Sequence, residues 1–241
     1  ILRHSDVLAG AAFAGSDRTA VTICHDGSVR LWDLPGIQSS LVLPHDNRVF
    51  SAAFSHDGGE LLTGSGDYTG GIGFAQFWNA ETGEPLGSPI RHPNAVGAVD
   101  VSPDGTKFLT GHWSDVVQLW DRSSLQPIAD PVHHASTVTV ANFHPDGRSF
   151  LSVGDGETAA QVRDTKSGHL IGPPLQHERT VRAAAFSRDG RLIATAGSTD
   201  GTARLWDAET HQPIGEPLGT FLIKTTLVFN DKMGSKPGIS P

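Results

Sequence analysis

HERTVRAAAFSRDGRLIATAGSTDGTARLWD, residues 177–207, decides the fold. An apolar run from Val181 to Phe186 meets Asp189-Gly190, a dipeptide that closes hairpins because glycine takes the positive φ of the turn. A second apolar run follows, and after Gly201 a third strand ends in Trp206-Asp207. Glu209-Thr210-His211 then forms a turn into a fourth segment bearing Pro213-Ile214. The stretch reads as strand, turn, strand, turn, strand, with a fourth strand to come.

The same unit recurs along the chain. Aligned on Phe13, Phe54, Val101, Phe143, Phe186 and Phe229, it repeats at steps of 41, 47, 42, 43 and 43 residues, the period of propeller blades. A histidine stands nine residues before each of the first five anchors, at His4, His45, His92, His134 and His177. Asp-Gly turns follow four of them, at Asp57-Gly58, Asp104-Gly105, Asp146-Gly147 and Asp189-Gly190. The third strand ends in Trp32-Asp33, Trp78-Asn79, Trp120-Asp121, Arg163-Asp164 and Trp206-Asp207, so one unit has exchanged its tryptophan for arginine.

Period, histidine, Asp-Gly turn and Trp-Asp agree in register, and together they resemble the WD40 repeat over residues 1–230. The Pro-Leu-x-His segment before a Val-x-x-x-x-Phe-Ser-Pro-Asp-Gly core is similar to the variant found in bacterial multidomain proteins. The resemblance implies an all-β WD40 β-propeller. Units lie near 4–44, 45–91, 92–133, 134–176 and 177–219, a partial one starts at 220, and 231–241 is a tail or linker. About five complete four-stranded blades and the start of a sixth are expected, as part of a seven-bladed ring. One blade cannot bury both of its faces, so blades pack radially on their neighbours.

The resemblance also implies a hydrogen-bonded chain of His, Ser or Thr, Asp and Trp inside each blade. The sets are His4, Thr22, Asp26 and Trp32; His45, Thr63, Asp67 and Trp78; and His177, Thr195, Asp200 and Trp206. The third unit offers His92, Thr110 and Trp120, with Ser114 where an aspartate is expected and Asp115 displaced by one. The fourth departs further, with His134, Ser152, Glu157 and Arg163. A Ser/Thr–His–Asp set invites a catalytic reading, but it recurs in blade after blade without a Gly-x-Ser-x-Gly elbow, so no catalytic residue is assigned. A buried indole and imidazole need partners, and the set supplies them.

No metal or cofactor is expected. His133, His134 and His144 lack a recognisable ligand spacing. Gly64-Ser65-Gly66 and Gly70-Gly71-Ile72-Gly73 lack a Walker lysine and read as flexible turns. A net charge of −8 with no Lys/Arg run excludes a general phosphate-backbone binder. The single cysteine, Cys24, excludes an intramolecular disulfide. No stretch reaches the length of apolar residues that spans a membrane, so a cytoplasmic location is the expectation.

The function implied is a non-catalytic protein-interaction scaffold that binds a peptide or protein on the face carrying the loops before the first strand and between the second and third. The resemblance implies contact positions that flank the valine four after the histidine: Arg48 and Phe50, Ala95 and Gly97, Thr137 and Thr139, Thr180 and Arg182. Trp113 precedes the Ser114 position, outside the tryptophan register. Asp67 to Trp78 spans eleven residues against six from Asp26 to Trp32, an insertion that carries Tyr68. The expected patch is therefore Arg48, Phe50, Tyr68, Trp113 and Arg182, since aromatics and arginine anchor interfaces. The partner could be another domain of the same polypeptide, such as a kinase or an ATPase. An enzyme using the propeller channel and a purely structural spacer are the competing readings.

Overall fold

The computed structural model describes residues 8–13, 19–24, 26–34, 38–67, 69, 71–198 and 201–219. These residues form five four-stranded antiparallel sheets, each a meander in chain order, and no helix is present among them. The first sheet holds β1 (Leu8–Phe13), β2 (Thr19–Cys24), β3 (Val29–Asp33) and β4 (Gln38–Leu43). The second holds β5 (Arg48–Phe54), β6 (Glu60–Gly66), β7 (Gly73–Asn79) and β8 (Ile90–His92). The third consists of β9 (Val96–Val101), β10 (Lys107–His112), β11 (Val116–Asp121) and β12 (Val132–His133). The fourth consists of β13 (Val138–Phe143), β14 (Ser149–Gly154), β15 (Ala159–Asp164) and β16 (Leu175–Gln176). The fifth consists of β17 (Val181–Phe186), β18 (Leu192–Gly197), β19 (Thr202–Asp207) and β20 (Leu218–Gly219). They are β-propeller blades, and the sixth unit expected from residue 220 lies outside the described residues.

The apolar residues of alternate strand positions are buried between blades, not within them. Leu62, Ala75 and Phe77 of the second blade pack on Val96, Val99 and Phe108 of the third. Leu109 and Leu119 of the third meet Val138 and Phe150 of the fourth, whose Leu151 and Val162 meet Val181 and Ile193 of the fifth. Each blade thus supplies one face to the neighbour before it and the other to the neighbour after it. The first strands of consecutive blades, β1, β5, β9, β13 and β17, stand side by side on the inner wall.

Two side-chain-to-backbone bonds tie that wall across blade boundaries. Ser51 Oγ accepts the Val99 N–H at 3.1 Å, and Asp100 Oδ2 accepts that of Phe143 at 2.6 Å.

The punctuation of the repeat has a local cause. In the Ser55–Gly58 turn, Ser55 Oγ donates to Asp57 Oδ1 at 2.6 Å and accepts the Glu60 N–H, while Gly58 takes φ 75°. The same Ser-to-Asp bond closes the turns at Ser102–Asp104 and Ser187–Asp189. After the tryptophan position, Asp121 Oδ1 accepts the N–H groups of Ser123 and Ser124, and Asn79, Asp164 and Asp207 cap their turns likewise. The recurrent Asp is a turn cap.

Gly64-Ser65-Gly66, expected as a flexible turn, lies within β6. A Cβ on Gly66 would stand 2.6 Å from Ala95 Cα, and one on Gly64 would stand 2.9 Å from the Val96 carbonyl oxygen. The glycines are there because β6 packs directly against the third blade.

Candidate functional site

The inner strands share an irregularity that sequence reasoning did not supply. In β5, Val49 pairs with Ser65 and Ser51 with Gly64, so Phe50 is the extra residue of a bulge. The same skip leaves out Ala9 in β1, Gly97 in β9, Thr139 in β13 and Arg182 in β17. A bulge bends its strand and re-aims one side chain. The skip recurs at one register in all five inner strands, and Phe50, Gly97, Thr139 and Arg182 all line one concavity of about 530 Å³ on the inner wall.

Trp113, on the loop after β10, closes over the position that Gly97 leaves open. Its ring stands 4.5 Å from that of Phe50 at an interplanar angle of 38°. A Cβ on Gly97 would come within 2.6 Å of Trp113 Nε1, so glycine is required there by close approach. Trp113 is half-buried and held from both sides: its backbone N–H donates to the Ala95 carbonyl at 2.8 Å, and Thr137 Oγ1 donates to the Trp113 carbonyl at 2.9 Å.

The other members of the expected patch are less united. Arg182 Nη1 meets Asp155 Oδ1 at 2.9 Å, an ion pair whose side chains are 48% and 46% exposed and which contributes little to stability. Arg48 is exposed at the start of β5 and is not among the residues lining the concavity. Tyr68 lies outside the described residues.

The polar network is present in outline and differs in detail. Trp Nε1 donates to a threonine hydroxyl in four blades: Trp32 to Thr22 at 2.7 Å, Trp78 to Thr63 at 2.9 Å, Trp120 to Thr110 at 2.9 Å and Trp206 to Thr195 at 2.8 Å. Thr63 Oγ1 also meets His45 Nε2 at 2.9 Å, and Thr195 Oγ1 meets His177 Nε2 at 2.6 Å. His45 Nδ1–H donates to the Leu43 carbonyl at 3.1 Å, and burial keeps the imidazole below its ordinary pKa. His4 and Asp200 lie outside the described residues. Asp26 accepts from the Ser28 N–H and hydroxyl within its own turn.

Two expectations need correction. Asp67 does not join the second network: its carboxylate accepts the N–H and hydroxyl of Thr69, two residues on, in a local turn. In the third blade, Thr110 pairs with His112 Nε2 at 3.1 Å instead of with His92, leaving the buried His92 Nε2 without a hydrogen-bond partner. The two imidazoles stack edge-on with centroids 4.7 Å apart. His112 occupies the place that Ser65 holds in the second blade, and its larger side chain reaches the threonine first.

The divergent fourth blade builds a complete chain from other residues. His134 Nδ1 meets Glu157 Oε2 at 2.9 Å, and His134 Nε2 meets Ser152 Oγ at 2.9 Å. Burial opposes ionisation of Glu157, yet the N–H groups of Ala135 and Gly154 and the His134 ring hold its carboxyl below the ordinary range. The order Glu–His–Ser is that of a hydrolytic triad, but Ser152 is 0% exposed, so no substrate can reach its oxygen. Arg163, in the tryptophan position, turns instead to the Gly168 carbonyl at 3.0 Å and to Gln161 Oε1. His133 pairs with Asp115 at 2.7 Å, and His144 Nε2 bonds the Gly190 carbonyl at 2.9 Å. No group of three or more His, Cys, Asp or Glu is placed to hold a metal among the described residues.

The sequence profile of the family described as "WD domain, G-beta repeat" matches residues 38–69, 83–121 and 170–207. The chain is 33% identical over 113 residues to guanine nucleotide-binding protein subunit beta-5b of Danio rerio, covering 45% of this chain and 25% of that protein. An uncharacterized WD repeat-containing protein of Schizosaccharomyces pombe is 29% identical over 97 residues, 39% of this chain and 23% of that one. A ribosome biogenesis protein WDR12 homolog of Drosophila persimilis is 28% identical over 125 residues, 48% of this chain and 28% of that one. The chain therefore spans about a quarter of the length of the curated relatives it matches. These relatives are eukaryotic, and the bacterial affiliation expected from the Pro-Leu-x-His segments finds no support among them.

Proposed function

We propose that the chain, whose residues 38–69, 83–121 and 170–207 match the WD domain profile, serves as a non-catalytic interaction platform whose partner, a protein or peptide, docks at the bulge-lined mouth of the inner wall. The observation that carries this reading is the recurrent bulge: in four of the five inner strands the residue it leaves out of the ladder, Phe50, Gly97, Thr139 or Arg182, lines one concavity. A device repeated at one register and filled with different side chains gives each blade its own contact, which is how a repeat scaffold acquires specificity. The Phe50–Trp113 pair offers a rigid aromatic anchor, and Arg182 a donor beside it.

The partner is a separate protein or another domain of the same polypeptide, a kinase or ATPase among the candidates, in the cytoplasm. The acidic net charge disfavours nucleic acid. The buried Ser152 disfavours hydrolysis.

The test is affinity capture from a native lysate with the unsubstituted chain and with a Phe50→Ala/Trp113→Ala/Arg182→Ala variant of equal β circular dichroism. A protein retained by the first and lost by the second is expected. Identical retention lists, or empty ones, favour the spacer.

A further inference from the structure

Among the described residues lining its concavities, the inner wall holds one carboxyl that neither the blade networks nor the bulged rim uses. Immediately before the anchor residues, the five inner strands carry Ala12, Ala53, Asp100, Asn142 and Ala185. Asp100 thus places a carboxyl where three of the other four strands place a methyl. It lies three residues along β9 from Gly97, about 10 Å below the rim at the rise of a strand. It lines both the 530 Å³ concavity and an adjoining one of about 420 Å³.

The carboxylate is fixed and short of charge. Oδ1 accepts the Val101 N–H at 2.9 Å and Oδ2 that of Phe143 at 2.6 Å, which sets the orientation of the side chain. Two neutral donors do not replace the water that a carboxylate loses on burial, and burial pushes the Asp100 carboxyl up to about 7 despite them. Among the described residues lining the two concavities it is the only carboxyl; the charged or titratable groups lining them with it are Arg182, which pairs with Asp155, Arg188 and His56, and none of these is within ion-pair distance of it. A desolvated anion facing a cavity favours a cation there far more than a surface carboxylate does.

The geometry selects among cations. Each oxygen already accepts one N–H, so a compact donor that needs a single remaining lone pair fits better than a guanidinium, whose fork engages both oxygens in one plane. A metal ion would want further ligands, and none of the ligating residue types is grouped there among the described residues. Small apolar side chains, Val99, Val140, Ala141 and Ala183, line the concavity with Asp100, and its cations are Arg182 and Arg188. We propose that Asp100 anchors a binding site in the propeller channel for a primary ammonium group on an unbranched alkyl chain, supplied by a free amine or by a lysine side chain. The second source rests on the platform reading above; the first does not.

Binding of n-butylammonium to the full chain, followed by NMR titration at pH 6 and pH 8, tests the site, with n-butanol as the uncharged control. A carboxyl half-ionised near pH 7 is about tenfold more ionised at pH 8 than at pH 6, so affinity is expected to rise about tenfold across that interval. Asp100→Asn, which keeps an acceptor for the Phe143 N–H, should abolish binding, and n-butanol should not bind. A glycine-flanked lysine peptide, beside its norleucine analogue, forms the second arm. Binding of the lysine peptide alone assigns the site to a partner's lysine, and binding of n-butylammonium assigns it to free amines. Should Asp100→Asn fail to fold, a fall in the Asp100 carboxyl titration on adding either amine, read by carbon-13 NMR, takes its place. Affinity unchanged between pH 6 and pH 8 or in Asp100→Asn, or binding of neither amine, overturns the proposal. The platform reading is untouched by any of the n-butylammonium results.

Discussion

Thr63→Val removes one hydroxyl and keeps the shape of the side chain, so its effect can be worked from the hydrogen bonds. Thr63 Oγ1 accepts the Trp78 indole N–H at 2.9 Å and meets His45 Nε2 at 2.9 Å. Both partners would be left unpaired in the interface between the first and second blades. A buried polar group without a partner costs about 1–3 kcal/mol. Water reaches the half-buried His45, so the low end applies there, and the sum is about 2–4 kcal/mol. Ser152→Ala provides the internal comparison. Ser152 meets only His134, because Arg163 stands where the indole would donate, and its loss should cost about 1–2 kcal/mol. Urea unfolding followed by circular dichroism reads both, with the slope unchanged if only the native state is affected. Equal losses for the two variants, or a loss below about 0.5 kcal/mol for Thr63→Val, would refute the claim that the threonine hydroxyl joins the network.

Other outcomes follow from the same geometry. Burial holds His92 down to about 3 and His112 down to about 4, with the second ring adding to the first. Their contribution is therefore intact above about pH 6.5 and is lost as pH falls toward those values, while the unfolded chain takes up protons. His112→Ser, which copies Ser65 of the second blade, should move the acid unfolding midpoint to lower pH, and an unmoved midpoint rejects the assignment. Asp100 has the opposite sign: its contribution is present below about pH 4 and is lost as pH rises through about 7, so Asp100→Asn should flatten the loss of stability between pH 6 and pH 8. Arg122 joins Glu60 through two bonds of 3.1 Å across the second and third blades and lies 3.9 Å over the Phe77 ring. Arg122→Ala should cost about 1–2 kcal/mol, and a double-mutant cycle with Glu60→Gln should return a coupling of about 0.5–1 kcal/mol that shrinks with salt. Gly97→Ala should expel Trp113 from its place, which a red-shifted tryptophan emission would report and an unchanged spectrum would contradict.

The blades were legible in the sequence because their punctuation is chemically local. In three of the four Asp-Gly turns a serine two residues before the aspartate bonds it, in the fourth His144 stands there, and every glycine takes a positive φ, all within four residues. The Trp-to-Thr bond was legible too, since antiparallel pairing opposes residues at a fixed offset and brings Trp78 within reach of Thr63. What escaped depends on neighbours far along the chain. Gly64 and Gly66 looked like a flexible turn, and only the approach of Ala95 and Val96 makes them strand residues. The bulge at Phe50, Gly97, Thr139 and Arg182 leaves no mark in hydrophobic alternation, because the extra residue can be of any type. His112 displaced His92 from Thr110 through size, which a register of histidines does not encode. Asp100 sat unremarked in an apolar run because its meaning lies in the cavity it faces.

Hydrogen–deuterium exchange on the chain, alone and saturated with its captured partner, tests the platform most directly. Protection confined to the segments around Arg48–Phe50, Ala95–Gly97, His112–Asp115 and Arg179–Arg182 is the predicted result. Protection centred on the opposite turns, at Asp57–Gly59, Asp104–Thr106, Asp146–Arg148 and Asp189–Arg191, would contradict the account and move the interface to the other face.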